Sequence, residues 1–503
     1  MTLTGDHPSL LDANLRLNQA SLEQAFLNCQ DVVFEQRKYG SNLVYTALVV
    51  YCRSLVKEDS DSLLVKVMND LATVQSADPS TLDPEDIANF FSKFGASSQG
   101  FSIVSEVNSA VDLVLQGQIV MVFDGWGSAV ACKAPTFDKR QVKEPISEPV
   151  VQGPREGTVE SININLGMIR QRLQTPRLKI EFLNAGVTVK TTIAFCYLEG
   201  VILPEILEEF RSRIEGIEQY DIPETSYVEE LTQDSAYTPF PQYRYTERTD
   251  AIAAALMDGK IAVLVDNTPM VLIAPAFFVD FFSTGEDYYV RTLFASMIRI
   301  LRLMAFFIAL TLPSIYIALS TFHPELIPSV LLLAILDTRE GIPFPAFVEA
   351  LIMEVSFELL REAGIRLPRP VGSAVSIVGA LVIGQAAITA KIASPIMVIV
   401  VAFTGIASFA IPHYDVAIAI RILRFPYMVA ATFLGGFGLM IIFLLTLLHL
   451  TCLQTLGQPY LTSLAPFKAR DLRDIVVRAP LRNFLKSPRN RRLLSSESPR
   501  RKK

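Results

Sequence analysis

Four carboxylates spaced through an otherwise apolar stretch are the groups in this chain that ask for a chemical explanation. Between Pro345 and Pro368 the sequence reads PAFVEALIMEVSFELLREAGIRLP, which sets Glu349, Glu354, Glu358 and Glu362 among leucines, isoleucines and valines. Pro343 and Pro345 open a helix here, and Gly364 with Pro368 closes it. At about 100° per residue, Glu354, Glu358, Arg361 and Glu362 share one face, while Val348, Ile352, Val355, Ser356, Leu359 and Leu360 line the other. Glu349 falls within the apolar side, where an ionised group is costly unless it is paired or faces water. Two readings stand open: Glu349 serves ion passage or gating, or it forms a structural ion pair with Arg339 or Arg299.

The elements around this helix belong to a membrane. Half of the 503 residues are hydrophobic and the mean hydropathy is +0.36, which excludes an ordinary soluble protein. Residues 371–390 carry no charge, over a length that crosses about 30 Å of hydrocarbon at 1.5 Å per residue. Gly372, Ser376, Ala380 and Gly384 recur there at every fourth position, a face for close helix packing. Runs 303–322 (containing Pro313), 395–411 and 429–453 are read as further spans, with Arg421 and Arg424 in a polar stretch before the last. Residues 326–336 are too short to span, and with the glutamate helix they form an interfacial or re-entrant element. The tail 456–503 holds thirteen Lys and Arg against three acids, in a chain of net charge −6. That balance places the tail in the cytoplasm, and the absence of a signal peptide keeps residues 1–290 there too. Four spans satisfy both ends, although Arg361, Arg366 and Arg369 then lie on the far side, against the charge rule.

The first 290 residues read as α/β. A strand is expected at 43–50, helices at 61–71 and from Thr81, a helix from Ser105, and a hairpin turning at Asp124-Gly125. A helix over 162–173, a strand over 187–197 and an acidic helix over 204–219 follow. A helix over 249–257 and a second hairpin at Asp266 then repeat the earlier unit. Gly117, Ile119 and Asp124 match Gly259, Ile261 and Asp266 at one constant offset, which reads as an internal repeat or as two ordinary helix–hairpin units. The expected organisation is a first α/β subdomain over 1–135, a proline-rich linker over 136–157 and a second α/β subdomain over 158–290. An all-α polytopic membrane domain over 291–455 and a basic tail over 456–503 complete it.

Enzymatic signals are missing. His7, His323, His413 and His449 have no ligand-like spacing, and the five cysteines form no CxxC pair, so neither a metal site nor a disulfide framework is expected. No GxxxxGK[ST], GxGxxG or GxSxG occurs, so no catalytic residue and no cofactor is assigned. Beside a membrane span, the basic tail is read as contacting anionic lipid and not nucleic acid.

Several segments together are similar to one known family. These are EPVVQGPREGTVES (148–161), PFPQYRYTERTD (239–250), EDYYVR (286–291), LPSIYIAL (312–319), FHPELIP (322–328), FELLREAGIRLP (357–368), VGALVIGQAA (378–387) and GQPYLTSLAPF (457–467). With them the chain resembles, over 31–467, the A subunit of the spore germination nutrient receptors, the GerA family. It departs from the family pattern at Thr249, where proline is usual, and at Thr158, where an aromatic is usual. The resemblance implies a non-enzymatic receptor subunit in the spore inner membrane, working with a transporter-like B subunit and a lipoprotein C subunit. It also implies that nutrient sensing lies largely with the B subunit, and that the A subunit passes the signal on as a homo-oligomer that lets ions through. Repeated around such an axis, Glu354, Glu358 and Glu362 would form carboxylate rings that attract cations; the alternative is the solvated face of an interfacial helix. Two other functions stay open: a paralogue that assists dipicolinate or ion release downstream, and a stand-alone transporter.

Overall fold

The computed structural model describes residues 10–40, 43–56, 67, 87, 91, 101–133, 144–145, 147–462, 464 and 476–478, without the side chains of 369–371 and 373–377. Most of the helices expected at 61–71 and from Thr81 therefore lies outside the described residues, although Val67 and Ile87 are helical and buried. So do much of the linker, most of the basic tail and the Ser376 side chain. The chain divides into two compact units, one of residues 1–233, 243–275 and 485–503, the other of 234–242 and 276–484. Residues 276–290 belong to the second of these units.

The first unit holds two five-stranded antiparallel sheets. One contains β1 (Val32–Tyr39), β2 (Tyr45–Cys52), β3 (Phe101–Val104), β4 (Gln118–Phe123) and β5 (Ala129–Lys133) in the order β1-β2-β4-β5-β3. The other contains β6 (Leu178–Ala185), β7 (Thr191–Leu198), β8 (Arg244–Thr246), β9 (Ile261–Val265) and β10 (Val271–Ala274) in the order β6-β7-β9-β10-β8. The two orders coincide position by position. Helices α1 (Leu15–Ala25) and α2 (Val107–Leu115) pack on the first sheet around Leu22, Val114, Leu48 and Val122. Helices α3 (Ile162–Arg172) and α6 (Thr249–Met257) pack on the second around Leu166, Leu256, Ile180 and Leu264. Between β7 and β8 run α4 (Pro204–Glu215) and α5 (Thr225–Thr232).

The likeness extends to individual hydrogen bonds. Asp124 Oδ1 accepts the Leu15 N–H at 3.3 Å, and Asp266 Oδ1 accepts the Ile162 N–H at 3.2 Å, so each hairpin turn caps the first helix of its own half. Asn18 bonds both backbone groups of Asp12, as Asn165 bonds both of Val159. Gly117 and Gly259, at φ 82° and 80°, make the left-handed exits from α2 and α6 that glycine accepts without strain.

A buried ion pair joins the two halves. Arg170 donates from Nε and Nη2 to both oxygens of Asp31 at 3.1 and 2.7 Å, and from Nη1 to the carbonyls of Thr175 and Leu178. Both side chains are buried, and the neighbouring Cys29 and Cys52 thiols are pushed up by burial. The strand expected over 187–197 begins only at Thr191. Gly186 turns at φ 107°, and the Asp221 carboxylate takes the N–H groups of Thr188 and Val189. Those two bonds hold its carboxyl below the usual range.

The second unit is helical: α7 (Thr292–Thr321), α8 (Ser329–Arg339), α9 (Ala346–Arg366), α10 (Arg369–Thr389), α11 (Pro395–Phe409) and α12 (Tyr414–Cys452). At the foot of α7, Asp287 accepts from Arg299 at 3.0 Å, Arg302 at 2.9 Å and the Thr284 N–H at 3.2 Å. Burial alone would raise the Asp287 carboxyl, but these donors hold it below its ordinary range. Among the described residues α7 and α12 are long and apolar enough to cross a membrane. Large apolar side chains point outward across the unit, among them Leu293, Val330, Leu381 and Phe433, which are 72–86% exposed.

Helix α12 is a hairpin. Gly435, at φ 59° and ψ −138°, breaks it into arms 414–434 and 436–452. Tyr427 Oη and Thr446 Oγ1 lie 3.1 Å apart across the two arms. The arms approach so closely that a methyl group on Gly438 would sit 2.1 Å from the Ala430 carbonyl oxygen. The span expected over 429–453 is therefore divided at a conformation that only glycine takes readily. Arg421 and Arg424, expected between spans, stand inside the first arm.

Candidate functional site

Helix α9 has its polarity turned inward. Glu349 and Glu354 are 0% and 1% exposed, whereas Val355 and Leu359 are 43% and 67% exposed. The solvated-face reading is thereby corrected for Glu354, because in a bundle surrounded by hydrocarbon the charged face must turn to the interior.

Each of the four glutamates has an arginine partner. Glu354 Oε2 accepts from Arg424 Nη1 at 2.5 Å, with both side chains buried. Arg424 Nε also donates to the carbonyl of Ala309 in α7 at 2.9 Å. Pro313, which lacks an N–H, leaves that carbonyl without its helical donor. Glu358 pairs with Arg361 one turn along α9 and with Arg421 of α12 at 3.4 Å. Glu362 pairs with Arg366 at 2.6 Å, and this pair is exposed.

Glu349 joins three elements at one point. Its Oε2 accepts the Ser394 N–H at 2.8 Å, at the N-terminus of α11, where the helix dipole favours a negative charge. Its Oε1 lies 3.1 Å from Arg339 Nη2 at the end of α8. Arg299, the other partner considered, is engaged by Asp287.

The buried part of the seam, Glu349 and Glu354, is thus charge-compensated and closed to solvent, while Glu358 and Glu362 are partly or largely exposed. Glu354 Oε1, Arg424 Nη2 and Ser314 Oγ are buried without a hydrogen-bond partner, which leaves polar capacity inside the bundle. Among the described residues no group of three or more His, Cys, Asp or Glu could hold a metal ion.

Of the small residues on α10, Gly372 and Gly384 face neighbours and Ala380 is exposed. A methyl on Gly372 would lie 2.5 Å from the Gly364 carbonyl oxygen, and one on Gly384 3.5 Å from Val398. Gly379 makes the tight contact that the four-residue spacing assigned to Ala380, since a methyl there would lie 2.6 Å from Leu360. The sequence names Arg421, Arg424 and Pro313 without giving them a part in this site, and Ser394 not at all. Two arginines three apart, followed by a long apolar run, were the available signal.

The family model described as "Bacillus/Clostridium GerA spore germination protein" matches residues 20–490. The membrane protein YfkQ of Bacillus subtilis (strain 168) is 39% identical over 484 residues, covering 95% of this chain and 91% of that one. Spore germination protein KA of the same organism is 39% identical over 475 residues, covering 94% and 86%. Spore germination protein GerLA of Bacillus cereus is 40% identical over 370 residues, covering 74% and 75%. The solved N-terminal domain of the A subunit of the Bacillus megaterium spore germinant receptor GerK3 aligns with 54% of this chain and 98% of its own, at 26% identity and a TM-score of 0.42.

Proposed function

Because the chain belongs to the Bacillus/Clostridium GerA spore germination protein family, we propose that it is a membrane subunit of a nutrient germinant receptor. The observation that carries this reading is the family match over residues 20–490, which takes in both units of the chain. Its partners are a transporter-like B subunit and a lipoprotein C subunit in the spore inner membrane. Its output is cation release through a homo-oligomer, with Glu354, Glu358 and Glu362 along the path and Glu349 fastening α9 to α8 and α11. The compensated seam supports assigning this conformation to the closed state.

The test is made in spores whose other germinant receptors are deleted. Potassium and sodium release after a nutrient mixture should disappear when this chain is removed and return when it is restored. Unchanged release without the chain overturns the proposal. Loss of dipicolinate release to a non-nutrient trigger as well would instead assign it to a downstream step. Both ends are placed in the cytoplasm. Cysteines introduced at Ser9 and Ser495 should therefore resist an impermeant thiol reagent added outside sealed vesicles of known orientation, and labelling of Ser495→Cys reverses that topology.

A further inference from the structure

Two rungs of opposite charge connect α9 to the first arm of α12. Glu354 and Glu358 stand one helical turn apart on α9, and Arg424 and Arg421 stand one turn apart on α12. Because the two segments run in opposite directions, Glu354 meets Arg424 at 2.5 Å and Glu358 meets Arg421 at 3.4 Å. The inner rung is buried on both sides, and its arginine is fastened a second time to the Ala309 carbonyl of α7. The outer rung is partly exposed, and Glu358 keeps Arg361 as a second partner.

From this geometry we infer that Arg424 and Arg421 are tethered cations that occupy the carboxylates of α9 and so hold the ion path shut. Moving the first arm of α12 away from α9 exposes a pair of carboxylates to mobile cations, and returning it refills them. The guanidinium suits the role because it stays charged at every physiological pH and is fixed in place by two acceptors at once. A mobile potassium or sodium ion competes for the same oxygens only when the arm has moved. The inference rests on the cation-release reading above and adds to it the group that blocks release.

The test compares Arg424→Gln with the double variant Glu354→Gln/Arg424→Gln, in spores that carry this receptor as their sole nutrient receptor. Arg424→Gln should release cations without nutrient about tenfold faster than wild type, since a coupling of this kind typically shifts an equilibrium by that order. Adding Glu354→Gln should reverse the leak, because the carboxylate that the arginine masks is then gone. A purely structural pair gives the opposite result, with the double variant leaking as much as the single one, and that outcome overturns the inference. Tight Arg424→Gln spores with normal receptor levels overturn it too.

Should Arg424→Gln fail to accumulate, Arg421→Gln decides. Glu358 retains Arg361 there, so the protein assembles, and a leak of about threefold is expected from the weaker rung. Tight Arg421→Gln spores then sink the inference. Wild-type spores report on the underlying function separately: no nutrient-triggered cation release from them means that the receptor reading fails, whatever the variants do.

Discussion

Arg424 donates from Nε to the Ala309 carbonyl at 2.9 Å, and that carbonyl is available because Pro313, four residues on, has no N–H to offer it. A gap in the hydrogen-bond ladder of one helix is filled by a side chain from another. Pro313→Ala supplies the missing donor and makes the arginine contact redundant. In purified protein, Arg424→Gln should then cost about 1 kcal/mol less in the Pro313→Ala background than in wild type. Equal losses in thermal stability in the two backgrounds would show that the residues are not coupled.

Glu349 is held by Arg339 and by the N-terminus of α11. Glu349→Gln leaves Arg339 facing a neutral group, and breaking a buried pair in this way costs about 3–5 kcal/mol. The amount of assembled protein in the membrane, read by immunoblot, should fall severalfold while release per assembled receptor stays normal. Normal amounts with slow cation release would assign Glu349 to ion passage instead.

Asp124 and Asp266 cap equivalent helices through equivalent bonds. Asp124→Ala and Asp266→Ala should each lower stability by about 1 kcal/mol, and the double variant should lose the sum. Chemical denaturation of the purified protein measures all three. A cost at one aspartate and none at the other would break the equivalence of the two halves.

Asp287 gives the protein a dependence on acid. Its carboxyl is held below the usual range by Arg302 and Arg299 despite burial. Its contribution is therefore complete above the unfolded carboxyl value, near pH 4. It is lost as the pH falls from there through the lower folded value. Wild type should lose more stability between pH 7 and pH 3 than Asp287→Asn, which starts lower. Parallel curves for the two proteins would remove Asp287 as the cause.

The hairpins at Asp124 and Asp266 were legible because turn chemistry and strand alternation are local, and α6 and α3 were legible because their starts and apolar periods are. The strand β6 was missed, although LKIEF alternates apolar and polar residues just after the turn at Pro176; its pairing with β7 makes it plain. In the membrane part, the glutamate helix was legible as amphipathic, but its orientation was not. Periodicity gives two faces and does not say which one meets the solvent when the solvent is hydrocarbon. Arg424 stayed hidden for a related reason: its partners lie 70 and 115 residues away in sequence. Gly435 stands close to Gly436 and Gly438 in sequence, and only its backbone angles show that it is the one that divides the helix.

The inward charge of α9 sets a condition on how the protein is made. An ionised side chain near the centre of a bilayer is opposed by about 2.5–3.5 kcal/mol at insertion, so α9 cannot settle there alone. Its compensating arginine, Arg424, emerges from the ribosome 70 residues after Glu354. At about 5–20 residues per second that is a wait of several seconds. During it α9 must be sheltered by the insertion machinery or stay at the interface until α12 arrives. On the membrane reading proposed above, biogenesis would be a late, concerted closure and not a sequence of independent insertions.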